Sequence, residues 1–160
     1  MSGPTSGPVS GPRPLRRRVE HVDTDAAGVV HFTRYASLIE TALLEDLEAM
    51  GVGTRLMSEH QLQPAVTELR MRYGAAARFP DRIEVRADVD HVGGASWRVS
   101  GTVRRLPDRP DDGAGPLLAS GTLVLCLVNA ADGSPAPLPA ALRAALRAQL
   151  SEERADGRDG

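Results

Sequence analysis

The stretch His21-Val22-Asp23-Thr24-Asp25-Ala26-Ala27-Gly28-Val29-Val30-His31-Phe32-Thr33-Arg34-Tyr35 runs directly into Ala36-Ser37-Leu38-Ile39-Glu40-Thr41-Ala42-Leu43-Leu44-Glu45-Asp46-Leu47-Glu48-Ala49-Met50-Gly51. The change of period between the two halves decides the fold. From Tyr35 onward, Leu38, Ile39, Ala42, Leu43, Leu47 and Met50 recur at helical spacing and form one apolar stripe. Glu45, Asp46 and Glu48 lie mostly off it. Thr33 or a neighbour caps the start, and Gly51 stands where a left-handed residue ends a helix. Upstream, Leu15 to Asp23 is expected to be a strand with imperfect alternation.

Downstream the period falls to two, after a loop over 52–63. Thr67, Leu69, Met71 and Tyr73 alternate with Glu68, Arg70 and Arg72. Ile83, Val85, Ala87 and Val89 alternate with charged neighbours, and Gly93-Gly94 makes a tight turn to Trp97, Val99 and Val103. Leu117 to Val128 is apolar on both faces, which suits a central or interface strand. Pro139 to Leu150 is expected to be a short helix. One long helix followed by antiparallel strands defines an α+β domain over 15–150, with the sheet wrapped over the helix. Residues 1–14, with Ser-Gly-Pro repeated three times, read as a disordered arm, and 151–160 as a flexible charged tail.

Composition narrows the chemistry. The chain has 160 residues, a net charge of -2 and 25% charged residues, which gives no electrostatic case for nucleic acid. All 19 basic residues are arginine, so lysine Schiff bases and phosphate-loop lysines are excluded. The single cysteine, Cys126, excludes an internal disulfide and a multi-cysteine metal site, and its apolar strand suggests a buried, inert thiol. No apolar run reaches the roughly 20 residues of a membrane span. The expected compartment is the cytoplasm.

The candidate chemistry lies in the opening stretch. It sets a carboxylate in a loop of small residues just before a helix N-terminus. Ala26, Ala27 and Gly28 let a substrate approach the backbone closely. The first amides of a helix have no intrahelical partner and can hold a developing oxyanion. A carboxylate beside them can attack a carbonyl or activate a water, which suits acyl transfer from a thioester. An ordinary turn and helix cap is the alternative reading of the same residues.

Asp25-Ala26-Ala27-Gly28-Val29-Val30-His31-Phe32-Thr33-Arg34-Tyr35, preceded by Asp23-Thr24 and followed by a helix carrying Glu40 and closing at Gly51, resembles the 4-hydroxybenzoyl-CoA thioesterase family of hotdog-fold proteins. The similarity covers most of 15–138. It implies a hotdog fold, a long helix wrapped by a five-stranded antiparallel sheet, paired across a homodimer or a dimer of dimers, with sites at the subunit interface. It implies that Asp25 is the catalytic carboxylate, as nucleophile or general base, and that the Phe32 backbone amide serves the oxyanion hole with Gly28 nearby. His31 is a candidate acid/base or pocket residue. Substrate contacts are expected from Tyr35, Arg34, Leu38, Glu40, Thr67 and Ser96. No cofactor and no metal are implied. The substrate would be an acyl thioester of CoA or of an acyl carrier protein, in polyketide or other secondary metabolism. A non-catalytic hotdog protein that binds an acyl or aromatic ligand, or assists a synthase complex, is the alternative.

The chain departs from that pattern at Val92-Gly93-Gly94-Ala95, where some relatives carry basic residues that meet CoA phosphates, and at Arg34, where asparagine is common. Arg70, Arg72, Arg78 and Arg82 are alternative contacts for phosphates or an acidic carrier protein. Asp23 is expected to orient the loop or pair with an arginine, and Arg13, Arg16, Arg17 and Arg18 to form a solvated or acid-paired edge.

Overall fold

A computed structural model of the chain describes residues 13–156. Most of the expected N-terminal arm and the last residues of the tail, 157–160, lie outside the described residues. The elements run β1 (Leu15–Arg18), α1 (Phe32–Ala49), α2 (Thr54–Glu59), β2 (Leu62–Tyr73), β3 (Arg82–Val92), β4 (Ser96–Arg105), β5 (Leu117–Asn129), β6 (Pro135–Ala136) and α3 (Ala140–Asp156). The strands form one antiparallel sheet in the order β1-β3-β4-β5-β2, with β6 paired to β5. The sheet therefore has six strands rather than five. The extra one is β6, which bonds to Leu127 and Val128 beyond the point where β4 begins at Ser96.

α1 lies on one face of this sheet and packs against β3, β4 and β2. Of the stripe the spacing predicts, Tyr35, Leu38, Ile39, Ala42, Leu43 and Leu47 are buried, while Met50 is the C-cap residue and only partly buried. They meet Ile83, Val85 and Val89 of β3, Val99 and Val103 of β4, and Leu123 and Leu125 of β5 in one core. Burying each such side chain stabilises by about 1.5–3 kcal/mol, far more than any intrinsic helix preference in this sequence. Gly101 and Gly121 face each other across β4 and β5. A methyl on Gly101 would stand 2.4 Å from Ile39 Cγ2, so α1 sits where a side chain is missing.

The end of α1 follows from Gly51, which has φ +73. Its amide bonds to Glu48 O at 3.0 Å, and the Val52 amide bonds to Leu47 O at 3.0 Å, a paired closure of the last carbonyls. The helix begins at Phe32, and of Thr33 and its neighbours it is His31 that caps the start, its side chain accepting from Thr33 N. Asp46 differs from expectation, being buried rather than off the packed face. It accepts a hydrogen bond from Arg13 N at 2.9 Å, and burial pushes its carboxyl up to about 6.

β1 is shorter than expected, because a 3-10 turn over His21–Asp23 ends it. The expected loop 52–63 contains α2, and α3 runs beyond Leu150 to Asp156. β2 has a bulge between Val66 and Glu68, so Val66, not Thr67, continues the inward row of Leu69. The other side of β2 has no strand partner among the described residues. Cys126 is half-buried rather than buried, because its side of β5 is the face away from α1.

Candidate active site

The segment between β1 and α1 is organised by Asp23, which is 2% exposed. One carboxylate oxygen, Oδ2, accepts from Glu20 N at 2.8 Å and from Arg17 Nη2 at 2.5 Å. The other, Oδ1, accepts from Arg34 Nε at 3.0 Å and Arg34 Nη2 at 2.7 Å. Burial works to raise this carboxyl, but the Glu20 amide and the two guanidiniums outweigh it and hold it below the ordinary aspartate range. One side chain thus ties the edge strand, the 3-10 turn and the first turn of the helix together. Asp23 is accordingly the orienting, arginine-paired residue that the sequence suggests.

Asp25 sits on the hairpin that this anchor supports. Thr24 pairs with Val30, Asp25 N bonds to Val29 O at 2.9 Å, and Gly28 N bonds to Asp25 O at 3.0 Å. Gly28 has φ +80, a conformation that disfavours other residues in this tight turn. The Asp25 side chain is exposed, and its Oδ1 accepts from Ala27 N at 2.8 Å. Oδ2 makes no hydrogen bond among the described residues. Val29 bridges to Arg78, whose guanidinium lies beside Gly28.

The chain then returns to the helix start. His31 N bonds to Asp23 O at 2.9 Å. Its Nδ1 accepts from Thr33 N at 3.3 Å and lies 2.7 Å from Thr33 Oγ1. Arg34 N bonds back to His31 O at 2.9 Å. The Phe32 amide is the remaining donor of that turn, unpaired among the described residues. The turn therefore offers one free N–H at the positive end of an 18-residue helix.

Aromatic side chains gather at this point. The whole chain has two Phe, two Tyr and one Trp. Phe32, Tyr35 and Tyr73 meet here, with Tyr73 edge-on to Phe32 and to Tyr35 at 6.4 and 5.7 Å between centroids. His31 stacks on Phe32 at 4.7 Å. Tyr73 Oη donates to Phe32 O at 2.9 Å, and Tyr35 Oη accepts from Ala77 N at 3.1 Å. Together with Gly74, Ala75 and Ala76 these rings line a hollow of about 280 Å³. Tyr73 escaped sequence analysis as a site residue, because its contact with Phe32 spans 41 positions.

The other candidates divide clearly. Gly28, His31, Phe32 and Tyr35 belong to this neighbourhood. Arg34 is nearby but committed to Asp23. Leu38 is 2% exposed and part of the core. Glu40 is half-exposed on α1, two turns beyond Phe32. Thr67 is the bulge residue of edge strand β2, with Oγ1 donating to Val124 O at 3.2 Å. Ser96 opens β4, opposite Cys126, at the end of the sheet remote from Tyr73 and Gly74. Within one chain, therefore, Thr67 and Ser96 are not gathered around Asp25.

A long helix held on an antiparallel sheet, with a carboxylate turn at the helix start, defines a hotdog-like thioesterase fold. The chain belongs to the Thioesterase-like superfamily, which it matches over residues 19–146. It is similar to the acyl-CoA thioester hydrolase YbgC of Escherichia coli O157:H7, at 29% identity over 79 residues, 49% of this chain and 59% of that protein. It is similar also to a 1,4-dihydroxy-2-naphthoyl-CoA hydrolase of Thermosynechococcus vestitus, at 31% identity over 96 residues, 58% of this chain and 66% of that protein. The matches thus span about three-fifths to two-thirds of these curated relatives. The crystal structure of a 1,4-dihydroxy-2-naphthoyl-CoA thioesterase from Synechocystis shares the fold, with a TM-score of 0.73 at 20% identity, over 86% of this chain and 96% of that one.

Proposed function

We propose that this chain is an acyl-CoA thioesterase in which Asp25 performs the acyl chemistry at the start of α1. The observation that carries this reading is an exposed Asp25 carboxylate with Oδ2 unbonded among the described residues, on a hairpin that Asp23 joins to the helix start, where the Phe32 amide is free. The names of the relatives, which are CoA thioester hydrolases, point the same way.

Two routes fit the site. In the first, the Asp25 carboxylate removes a proton from water, and the resulting hydroxide adds to the thioester carbonyl. In the second, the carboxylate oxygen adds to the carbonyl itself and gives a mixed anhydride, which water then hydrolyses. In either case the negative charge develops on the carbonyl oxygen, which the Phe32 N–H and the helix dipole stabilise. Collapse breaks the C–S bond and the thiolate leaves, with little need for an acid. His31 Nδ1 is occupied by Thr33, so this residue shapes the helix start rather than moving a proton through that nitrogen. The aromatic walls around Phe32 and Tyr73 favour a planar acyl group.

The unpaired edge of β2, with Val66, Leu69 and Tyr73 exposed on the face that holds α1, favours pairing of two copies through this strand. Thr67 lies on that edge strand, so such a pairing would place it at the subunit interface. Polyketide acyl groups and a carrier-protein thioester remain within the same chemistry, as does a dimer of dimers.

A non-catalytic ligand-binding protein is the second reading. The observation in its favour is that Asp25 Oδ1 already serves its own turn through Ala27 N. Thiol release from aromatic, short, medium and long acyl-CoAs, by wild type beside Asp25→Asn, separates the two. Turnover in wild type and its loss in Asp25→Asn supports the hydrolase; tight binding without turnover in wild type supports the second reading. A single turnover in labelled water then distinguishes the routes, since label enters Asp25 only if it attacks the carbonyl.

A further inference from the structure

On the face of the sheet away from α1, a groove of about 370 Å³ runs between the β3–β4 edge and the loop 106–115. Arg16, Arg82, Arg86, Arg104 and Arg105 line it, against the carboxylates of Glu84 and Asp108. This concentration of positive charge occurs in a chain whose net charge is -2.

The groove is built, not accidental. Glu84 bonds to Arg16 Nε at 2.9 Å and to Arg86 Nε at 3.0 Å. Both contacts use the inner nitrogen of the guanidinium, which leaves the outer Nη forks of Arg16 and Arg86 available. Burial works to raise the Glu84 carboxyl, but the Arg86 and Arg16 bonds outweigh it and hold it below the ordinary glutamate range, so it stays charged and keeps both arginines in place. Arg105 is held more fully, through Nε to Asp81 at 3.2 Å and Nη2 to Ala76 O at 2.8 Å, and Arg104 Nη1 donates to Gly115 O at 3.4 Å. Arg82 makes no side-chain hydrogen bond or ion pair among the described residues. The wall opposite is fixed too: Leu106 N bonds to Arg82 O at 2.7 Å, and Arg105 N to Pro116 O at 3.1 Å. A methyl on Gly115 would stand 1.7 Å from Arg105 O, so only glycine lets the loop close this tightly on β4.

Five guanidiniums in a concave site are suited to phosphate oxygens, because the planar fork gives two parallel hydrogen bonds to one phosphate. The volume falls in the range of small-ligand sites, roughly 300–1,000 Å³. We infer that this groove is a phosphate-binding site for a nucleotide-sized anion, with Arg82 and Arg86 as its principal contacts and Glu84 as a positioning residue. The phosphates have two possible sources: the nucleotide end of a CoA thioester, which rests on the thioesterase reading, and a separate phosphorylated ligand, which does not.

Calorimetric titration with adenosine 3′,5′-bisphosphate and with inorganic phosphate tests the site without any turnover. Wild type should bind the bisphosphate, more weakly as salt rises. Arg82→Ala and Arg86→Ala should each weaken it by about tenfold, the scale of a lost charge-assisted hydrogen bond. Arg55→Ala, on α2 and paired with Glu59, should leave binding unchanged. Thermal melts check that each variant is folded. No binding by wild type, or binding indifferent to both Arg82→Ala and Arg86→Ala, overturns the proposal. A parallel KM measurement identifies the source. A KM for acyl-CoA that rises in Arg82→Ala, with that for the acyl-pantetheine thioester unchanged, assigns the phosphates to CoA. Arginine-sensitive bisphosphate binding with both KM values unchanged assigns the groove to a separate ligand. If neither thioester is turned over, the binding result stands by itself and only the thioesterase reading fails.

Discussion

Asp23 and Asp25 are two positions apart and should respond oppositely to the same substitution. Asparagine at 23 keeps one oxygen for the Arg34 guanidinium. It loses the negative charge and turns an amide N–H₂ towards Glu20 N and Arg17 Nη2, both of them donors. Removing one partner of a buried pair costs about 3–5 kcal/mol. Arg17 and Arg34 are partly exposed, with side chains at 27% and 37%, and water can re-solvate them, so the expected loss is nearer the lower end. About 3 kcal/mol in a domain of this size corresponds to a melting temperature lower by roughly 6–12 °C. Asparagine at 25 retains the Oδ1 acceptor for Ala27 N at an exposed position, so its stability should change by under about 0.5 kcal/mol. Thiol-release activity should fall by about 10²–10⁴-fold in that variant. Urea unfolding of wild type and both variants, followed by circular dichroism, gives the first comparison and a thiol assay the second. The pH dependence supplies a further check. The Asp23 carboxyl is depressed in the folded state, so its contribution is present above the unfolded value and is lost as pH falls through the folded one. The gap between wild type and Asp23→Asn should therefore close in acid. An Asp23→Asn protein as stable as wild type at pH 7 would refute the anchoring role.

Asp46 should show the opposite sign. Its folded carboxyl is raised to about 6, so wild-type stability falls as pH climbs from the unfolded aspartate value through 6. Asp46→Asn keeps an acceptor for Arg13 N and should gain about 1 kcal/mol at pH 8 but nothing near pH 3, read as melting temperature against pH. Gly101→Ala should destabilise by about 1–3 kcal/mol, because Ile39 is fully buried and has nowhere to move; an unchanged urea midpoint would contradict this. Leu69→Glu places a charge on the exposed inner row of edge strand β2. Sedimentation velocity should show a smaller species with unchanged circular dichroism, and an unaltered sedimentation coefficient would argue against association through β2.

Much of this architecture is written in side-chain period. The stripe from Tyr35 to Leu47 marks α1, and the alternation from Ile83 to Val89 and from Trp97 to Val103 marks the central strands, because burial on one face enforces those spacings. Gly51 marks the helix end through its backbone alone. Elements with little burial left weaker traces. α2 is six residues long with Met57 as its buried residue, and β6 has only Pro135 and Ala136. The bulge at Thr67 carries no glycine to announce it, and one extra residue shifts which side chains face α1. Asp46 misled in another way, since a charged residue is assigned to the surface until its partner is known, and Arg13 N lies 33 positions away. In the candidate site, Asp25, Gly28 and Phe32 were legible because one short segment contains them. Tyr73 joins them only through the sheet's topology.

The seat of α1 on Gly101 makes the alignment of the helix start depend on a position in a distant strand. Ile39 lies seven residues after Phe32, about 10 Å along the helix axis. The contact works as a fulcrum: lifting the helix there by the thickness of a methyl group tilts its first turn and moves the Phe32 amide. Bond-making geometry tolerates little of this, since a misplacement of about 1 Å can cost 10²-fold in rate. If Asp25 and the Phe32 amide carry the proposed acyl chemistry, changes at this pivot would retune it while leaving the hairpin untouched.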